Sequence, residues 1–201
     1  MIWAVLAAVL LGLGPRTATA ELILHVQDAE VTAGESGFFD VFFEVTDGAP
    51  MLAGYQIELN LSDAGAGVRF TDFGEAENAV FSGQAAAQTA GRPVLPGPTA
   101  AANDFILTPA ETAILDGAAL LRVHFEADPG SAGAQVQVNI DSNSLRTSLS
   151  DGSGATVQVD SFVGGTITVV PEPSSLVGLL SLGVAVAMAC GWRRWHAYGQ
   201  S

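Results

Sequence analysis

Ala53-Gly54-Tyr55-Gln56-Ile57-Glu58-Leu59-Asn60-Leu61 alternates side chains of opposite character: Tyr55, Ile57, Leu59 and Leu61 on one side, Gln56, Glu58 and Asn60 on the other. A helix would bring apolar residues back every three or four positions. Strict period two instead puts one set on a core and the other in water, which is the pattern of a half-buried strand. The same reading applies to Leu121, Val123 and Phe125 around Arg122, His124 and Glu126. It applies again to Val136, Val138 and Ile140 around Gln137 and Asn139, and to Ile167 and Val169 around Thr166 and Thr168. Phe38-Phe39-Asp40-Val41-Phe42-Phe43-Glu44-Val45 is apolar in both registers and is expected to be a central strand covered on both faces.

Turn-forming clusters separate these runs: Ala33-Gly34-Glu35-Ser36-Gly37, Asp47-Gly48-Ala49-Pro50, Asp128-Pro129-Gly130 and Asp151-Gly152-Ser153-Gly154. Short strands about ten residues apart predict an all-β domain, a single antiparallel β-sandwich over residues 21–170. The stretch from Ser82 to Asn103, rich in Ala, Gly, Pro and Gln, has no sustained period and is expected to be a long loop. No internal repeat is evident.

Two apolar segments lie outside this domain. Residues 1–20 run from an apolar Ile2 to Leu13 through Gly14-Pro15 to Ala18-Thr19-Ala20, the small-residue pattern of a signal peptide cleaved after Ala20. Arg16 falls on the wrong side of the apolar run, and an uncleaved anchor is the alternative. From Ser174 to Trp192 the chain carries no charge, and about 19 residues at 1.5 Å each reach roughly 28 Å, close to the hydrocarbon thickness of a bilayer. Arg193 and Arg194 follow directly and are expected to stay in the cytoplasm, leaving the domain outside. A buried helix of a soluble protein is the alternative reading of this run.

Composition narrows the partners. The 201 residues hold 21 acidic and 7 basic side chains, a formal charge of −14, and every basic residue is Arg. Between Glu21 and Val170 there are 20 acids against Arg69, Arg92, Arg122 and Arg146, a balance of −16. Such a field repels phosphate backbones, so nucleic acid is not expected as a partner. Cations and neutral or cationic polysaccharides remain open. Cys190 lies within the C-terminal apolar run, so the domain has no internal disulfide and depends on packing.

The order Val170-Pro171-Glu172-Pro173-Ser174-Ser175, apolar helix, Arg193-Arg194 resembles the PEP-CTERM sorting signal of Gram-negative envelope proteins. The resemblance implies an exosortase, a membrane cysteine transpeptidase-like enzyme, cutting near Pro171, Glu172 and Pro173 and delivering the domain to the cell surface or extracellular matrix. The stub from Trp195 to Ser201 is slightly longer than that pattern. Two prolines fix φ, remove amide donors and hold their predecessors extended, which keeps the tripeptide out of both strand and helix. A plain stiff linker between domain and anchor is the alternative.

Within the domain, Val31-Thr32-Ala33-Gly34 before the Phe-rich strand, Ala53 to Asn60, Gly117 to Ala127 and the closing Val136 to Ser144 resemble a cohesin-like, carbohydrate-binding-module-like β-sandwich. The resemblance implies a non-catalytic adhesion or assembly module whose partner is an envelope or matrix protein or polysaccharide.

Candidate chemistry is sparse. His25 and His124 sit in strands, and neither a Gly-x-Ser-x-Gly elbow nor a recognisable triad accompanies them, so surface strand histidines are the simpler account. A secreted hydrolase with an unrecognised site is the alternative function. No cofactor is expected; if calcium were held, the candidate oxygen donors are Asp141, Asn143 and Asp151. Their spacing does not meet the EF-hand pattern, and turn-forming Asx residues explain them equally. Asn60-Leu61-Ser62 matches a glycosylation sequon formally and carries little weight.

Overall fold

A computed structural model describes residues 21–82, 97–106 and 111–172. Its elements are β1 (Leu22–Val26), β2 (Ala29–Thr32), β3 (Ser36–Val45), β4 (Met51–Leu52), β5 (Gly54–Leu61), β6 (Val68–Gly74) and β7 (Thr99–Phe105). They continue as β8 (Thr112–Ala113), β9 (Ala119–Ala127), β10 (Gln135–Ile140), β11 (Ser148–Ser150), β12 (Thr156–Val157), β13 (Ser161–Val163) and β14 (Gly165–Val170). Among the described residues no helix is long and apolar enough to cross a membrane. The expected signal peptide and the apolar run from Ser174 to Trp192 lie outside the described residues.

One sheet has the order β13-β1-β3-β9-β6. The other runs β12-β11-β5-β10-β14-β2, with β7 also paired to β5. Both bury the alternating side chains named above: Tyr55, Ile57, Leu59 and Leu61 from β5 meet Phe39, Val41 and Phe43 from β3 and Val123 and Phe125 from β9 in one core. Phe39 lies against Phe70 and Phe125, with ring centres 6.2 Å and 6.0 Å apart. At about 25 cal/mol per Å², buried rings of this size dominate the stability of a domain without disulfides.

Three expectations need correction. The sandwich is not wholly antiparallel, because β1 pairs with β13 and β14 pairs with β2 in parallel. The chain leaves one sheet for the other at Gln27-Asp28, so the first strand is split between sheets and each half lies beside a strand from the end of the domain. That crossing is tight: Asp28 accepts a hydrogen bond from the Thr166 amide at 2.7 Å, and a Cβ added to Gly165 would stand 2.6 Å from the Val26 carbonyl oxygen.

β3 is central to its sheet but is covered on one face only. Phe39, Val41 and Phe43 are buried, while Phe38 remains 49% exposed on the outside. The outward rings are shielded by polar neighbours. The Arg122 guanidinium carbon lies 4.0 Å from the Phe38 ring centre, and His25 stacks on Phe42 at 5.2 Å.

The third correction concerns the expected loop from Ser82 to Asn103, whose last residues, from Thr99, belong to β7. Ala and Asn are poor strand formers, so the local sequence does not announce this strand. The edge of β5 does, pairing with it from Gly54↔Phe105 to Asn60↔Thr99. Ala100 and Ala102 then fit beneath Leu59 and Ile57, where larger side chains would crowd the core.

Candidate functional site

The two histidines are not brought together. His25 on β1 is opposite Phe42, and His124 on β9 is opposite Phe38. Four steps along β3, about 13 Å at roughly 3.3 Å per residue, therefore offset them, and β3 itself lies between their strands. His25 Nε2 lies 2.8 Å from Glu44 Oε2, without the alignment of a hydrogen bond. His124 tilts against Phe38 at 6.1 Å. Both serve the outer face of the five-stranded sheet, where charges are also spoken for. Arg122 holds Asp40 through two 2.8 Å hydrogen bonds, and Arg69 holds Glu126 and Asp128.

The weighed oxygen donors act as turn acceptors. Asp141 accepts from the Asn143 amide at 3.0 Å and from the Asn60 side-chain amide at 3.5 Å. Asp151 accepts from the Ser153 amide and hydroxyl and from the Ala155 amide, at 2.9, 2.7 and 2.9 Å. These hydrogen bonds, the Ser153 hydroxyl foremost, hold its carboxyl below the usual range. Asp141 and Asp151 belong to different loops, and no cluster of three His, Cys, Asp or Glu able to hold a metal occurs among the described residues.

The outer face of the other sheet is rich in amides, with the carboxylates of Glu58 and Glu30 among them. Cross-strand registers place Gln56 beside Asn103, Glu58 beside Ala101 and Asn60 between Thr99 and Asn139. Gln137 reaches Thr166 through a 2.9 Å side-chain hydrogen bond, and Glu58 accepts one from Ser144 at 2.8 Å. Such a surface offers donors and acceptors in a fixed array beside an open hollow of about 220 Å³ lined by Gln56, Asn103, Phe105, Ser148 and Ser150. It suits recognition by hydrogen bonding more than chemistry on a bound substrate.

A feature the sequence did not announce lies where the edge strands β6 and β7 come together. There a cavity of about 170 Å³ is lined by Tyr55, Phe73, Phe81, Glu75 and Asp104 among others. Asp104 points to the core side because it is opposite Tyr55 in the β5–β7 register. Loss of solvent, followed by the nearby Glu75 charge, raises its carboxyl above the ordinary value despite a 2.8 Å hydrogen bond from the Phe105 amide. Burial, with the Asp104 charge beside it, pushes the Tyr55 phenol upward as well.

Of the expected sorting residues, Pro171 and Glu172 are described. They follow β14 directly, outside regular secondary structure and exposed. Pro173, Arg193, Arg194, Ala18 and Ala20 lie outside the described residues.

No family model matches the chain, and no curated protein matches it by sequence. Solved structures do match its fold. The sixth cohesin of Acetivibrio cellulolyticus scaffoldin B, in complex with a Cel5 dockerin mutant, is 11% identical over 74% of this chain and 99% of that one, with a TM-score of 0.55. The seventh type I cohesin of scaffoldin B from Pseudobacteroides cellulosolvens is 12% identical over 76% and 94%, with a TM-score of 0.56. A non-cellulosomal cohesin from the archaeon Archaeoglobus fulgidus is 13% identical over 79% and 98%, with a TM-score of 0.52. The expected cohesin-like β-sandwich is therefore the fold of this domain.

Proposed function

We propose that this protein is a non-catalytic adhesion or assembly module, exported and held at the bacterial envelope until its tail is processed by an exosortase-type enzyme. The observation that carries the first half is the amide-rich face of β5, β7 and β10, on a fold shared with cohesins, one of them crystallised with a dockerin. The separation of His25 from His124 weighs against the hydrolase alternative. A polypeptide of the envelope or matrix is the partner this face fits, since fixed donors and acceptors match the backbone and side chains of a folded surface.

The test is to place two cations on that face with Gln56→Arg and Asn103→Arg. Both positions point outward, so the double variant is expected to melt like the parent. Its release from the envelope or matrix fraction of producing cells should rise at least tenfold, as expected when buried charges replace paired polar groups at an interface. Equal retention of a folded double variant would remove this face from the function.

For the tail, Pro171-Glu172, exposed and outside strand and helix, supports a site an enzyme can reach, and the arginines beyond the apolar run are expected to set topology. Glu172→Ala should leave the chain inserted and untrimmed. Neutral residues at Arg193 and Arg194 should loosen orientation instead. A gel shift in hosts with and without the sorting enzyme reads both outcomes. Equal trimming of the parent in the two hosts would reduce the tail to an anchor.

A further inference from the structure

Asp104 is a carboxylate on the core side of a strand whose other inward residues are Ala100 and Ala102. Ala102, with its small side chain, lines the space that opens beside it. The walls are aromatic: Tyr55 and Phe81 stack with ring centres 5.9 Å apart and planes 19° apart, and Phe73 stands nearby on β6. Tyr55 is only 9% exposed, and its hydroxyl has no hydrogen-bond partner among the described residues. Glu75 adds a second carboxylate at the cavity mouth. The ion pairs among the described residues use Arg69 and Arg122 with other acids, and His25 lies against Glu44, so neither Asp104 nor Glu75 has a cation there.

We infer that this cavity binds one organic cation, an alkylammonium or guanidinium group. Each part of the lining answers a requirement of such a ligand. Aromatic faces attract a cation through their quadrupole, most strongly where water is excluded. Two carboxylates supply the opposite charge, and the phenol oxygen of Tyr55 accepts an N–H. A volume of about 170 Å³ admits one side-chain-sized group, comparable to the roughly 150 Å³ cavity that takes up benzene. A divalent metal is a poor match, because two carboxylates and three rings offer too few hard oxygens. A neutral sugar would leave both carboxylates unbalanced. The inference is independent of whether the amide-rich face is a docking surface.

The experiment is isothermal titration of the full chain with n-butylammonium, with n-butanol as the uncharged comparison, and with a Gly-Lys-Gly amide. Saturable binding of the amines and none of the alcohol is expected. Tighter binding of the peptide would identify the source as a partner's side chain, and tighter binding of the free amine would identify a small molecule; either supports the site. Asp104→Asn should weaken binding at least tenfold, the scale for a charged hydrogen-bond partner. It should also melt higher than the parent at pH 7, since the raised carboxyl favours folding only while protonated, and the difference should vanish well below pH 4, where the acid is neutral in both states. A folded, more stable variant that has lost the ligand separates binding from folding. Absence of saturable binding, equal binding of n-butanol, or unchanged affinity in Asp104→Asn overturns the inference.

Discussion

Replacing Ile57 by Asp is expected to unfold the domain or to bring it to the edge of unfolding. Ile57 is 1% exposed, at the centre of β5, packed in the core and opposite Ala102. The new carboxylate would have no cation within the core, and an uncompensated buried charge costs about 3 to 5 kcal/mol. Domains are stable by only about 5 to 15 kcal/mol, and this one has no cysteine between Glu21 and Val170 to constrain the unfolded chain. The neighbouring change Gln56→Asp makes the comparison sharp. Its side chain is on the opposite, solvent face, so the expected effect is within about 0.5 kcal/mol. Urea melts of the two variants read the register directly, because a slip of one residue would exchange their behaviour. An unchanged midpoint for Ile57→Asp would contradict the strand assignment.

The second large effect is expected at Gly165, where even Ala should destabilise the fold. Its φ is not in the left-handed region, so the reason is space rather than backbone freedom. An added Cβ would lie 2.6 Å from the Val26 oxygen and 2.8 Å from the Gln27 oxygen. Both are backbone atoms at the point where the chain leaves one sheet for the other, and neither can retreat without disturbing β1 or β2. Overpacking a core commonly costs about 1 to 3 kcal/mol, and a clash with two backbone oxygens belongs at or above the top of that range. Gly130 is the control, with nothing within 4 Å of an added Cβ and no positive φ. There Ala should be neutral or stabilise by up to about 1 kcal/mol, through the less flexible unfolded chain. Thermal melts in which Gly165→Ala and Gly130→Ala behave alike would show that the crossing is looser than described.

Whatever one strand's own side chains determine was legible in the sequence. Alternation in β5, β9, β10 and β14 named the buried residues, because period two is a property of a single extended chain. The expected signal peptide and sorting tail rest on local composition too, in residues outside those described. Pairing decided the rest. Ala100 and Ala102 became strand because β5 had an open edge, not because alanine favours strands. Phe38 and Phe42 faced outward because β3 packs a core on one side only, and Arg122 and His25 cover them from neighbouring strands. The cavity belongs wholly to this second class. Tyr55 and Asp104 are distant in sequence and meet through a cross-strand register that no local pattern encodes. The split of the first strand between sheets is of the same kind, since its parallel partners come from the far end of the domain. Side-chain periodicity is written residue by residue along the chain, whereas neighbours across a sheet are chosen only when the whole core closes.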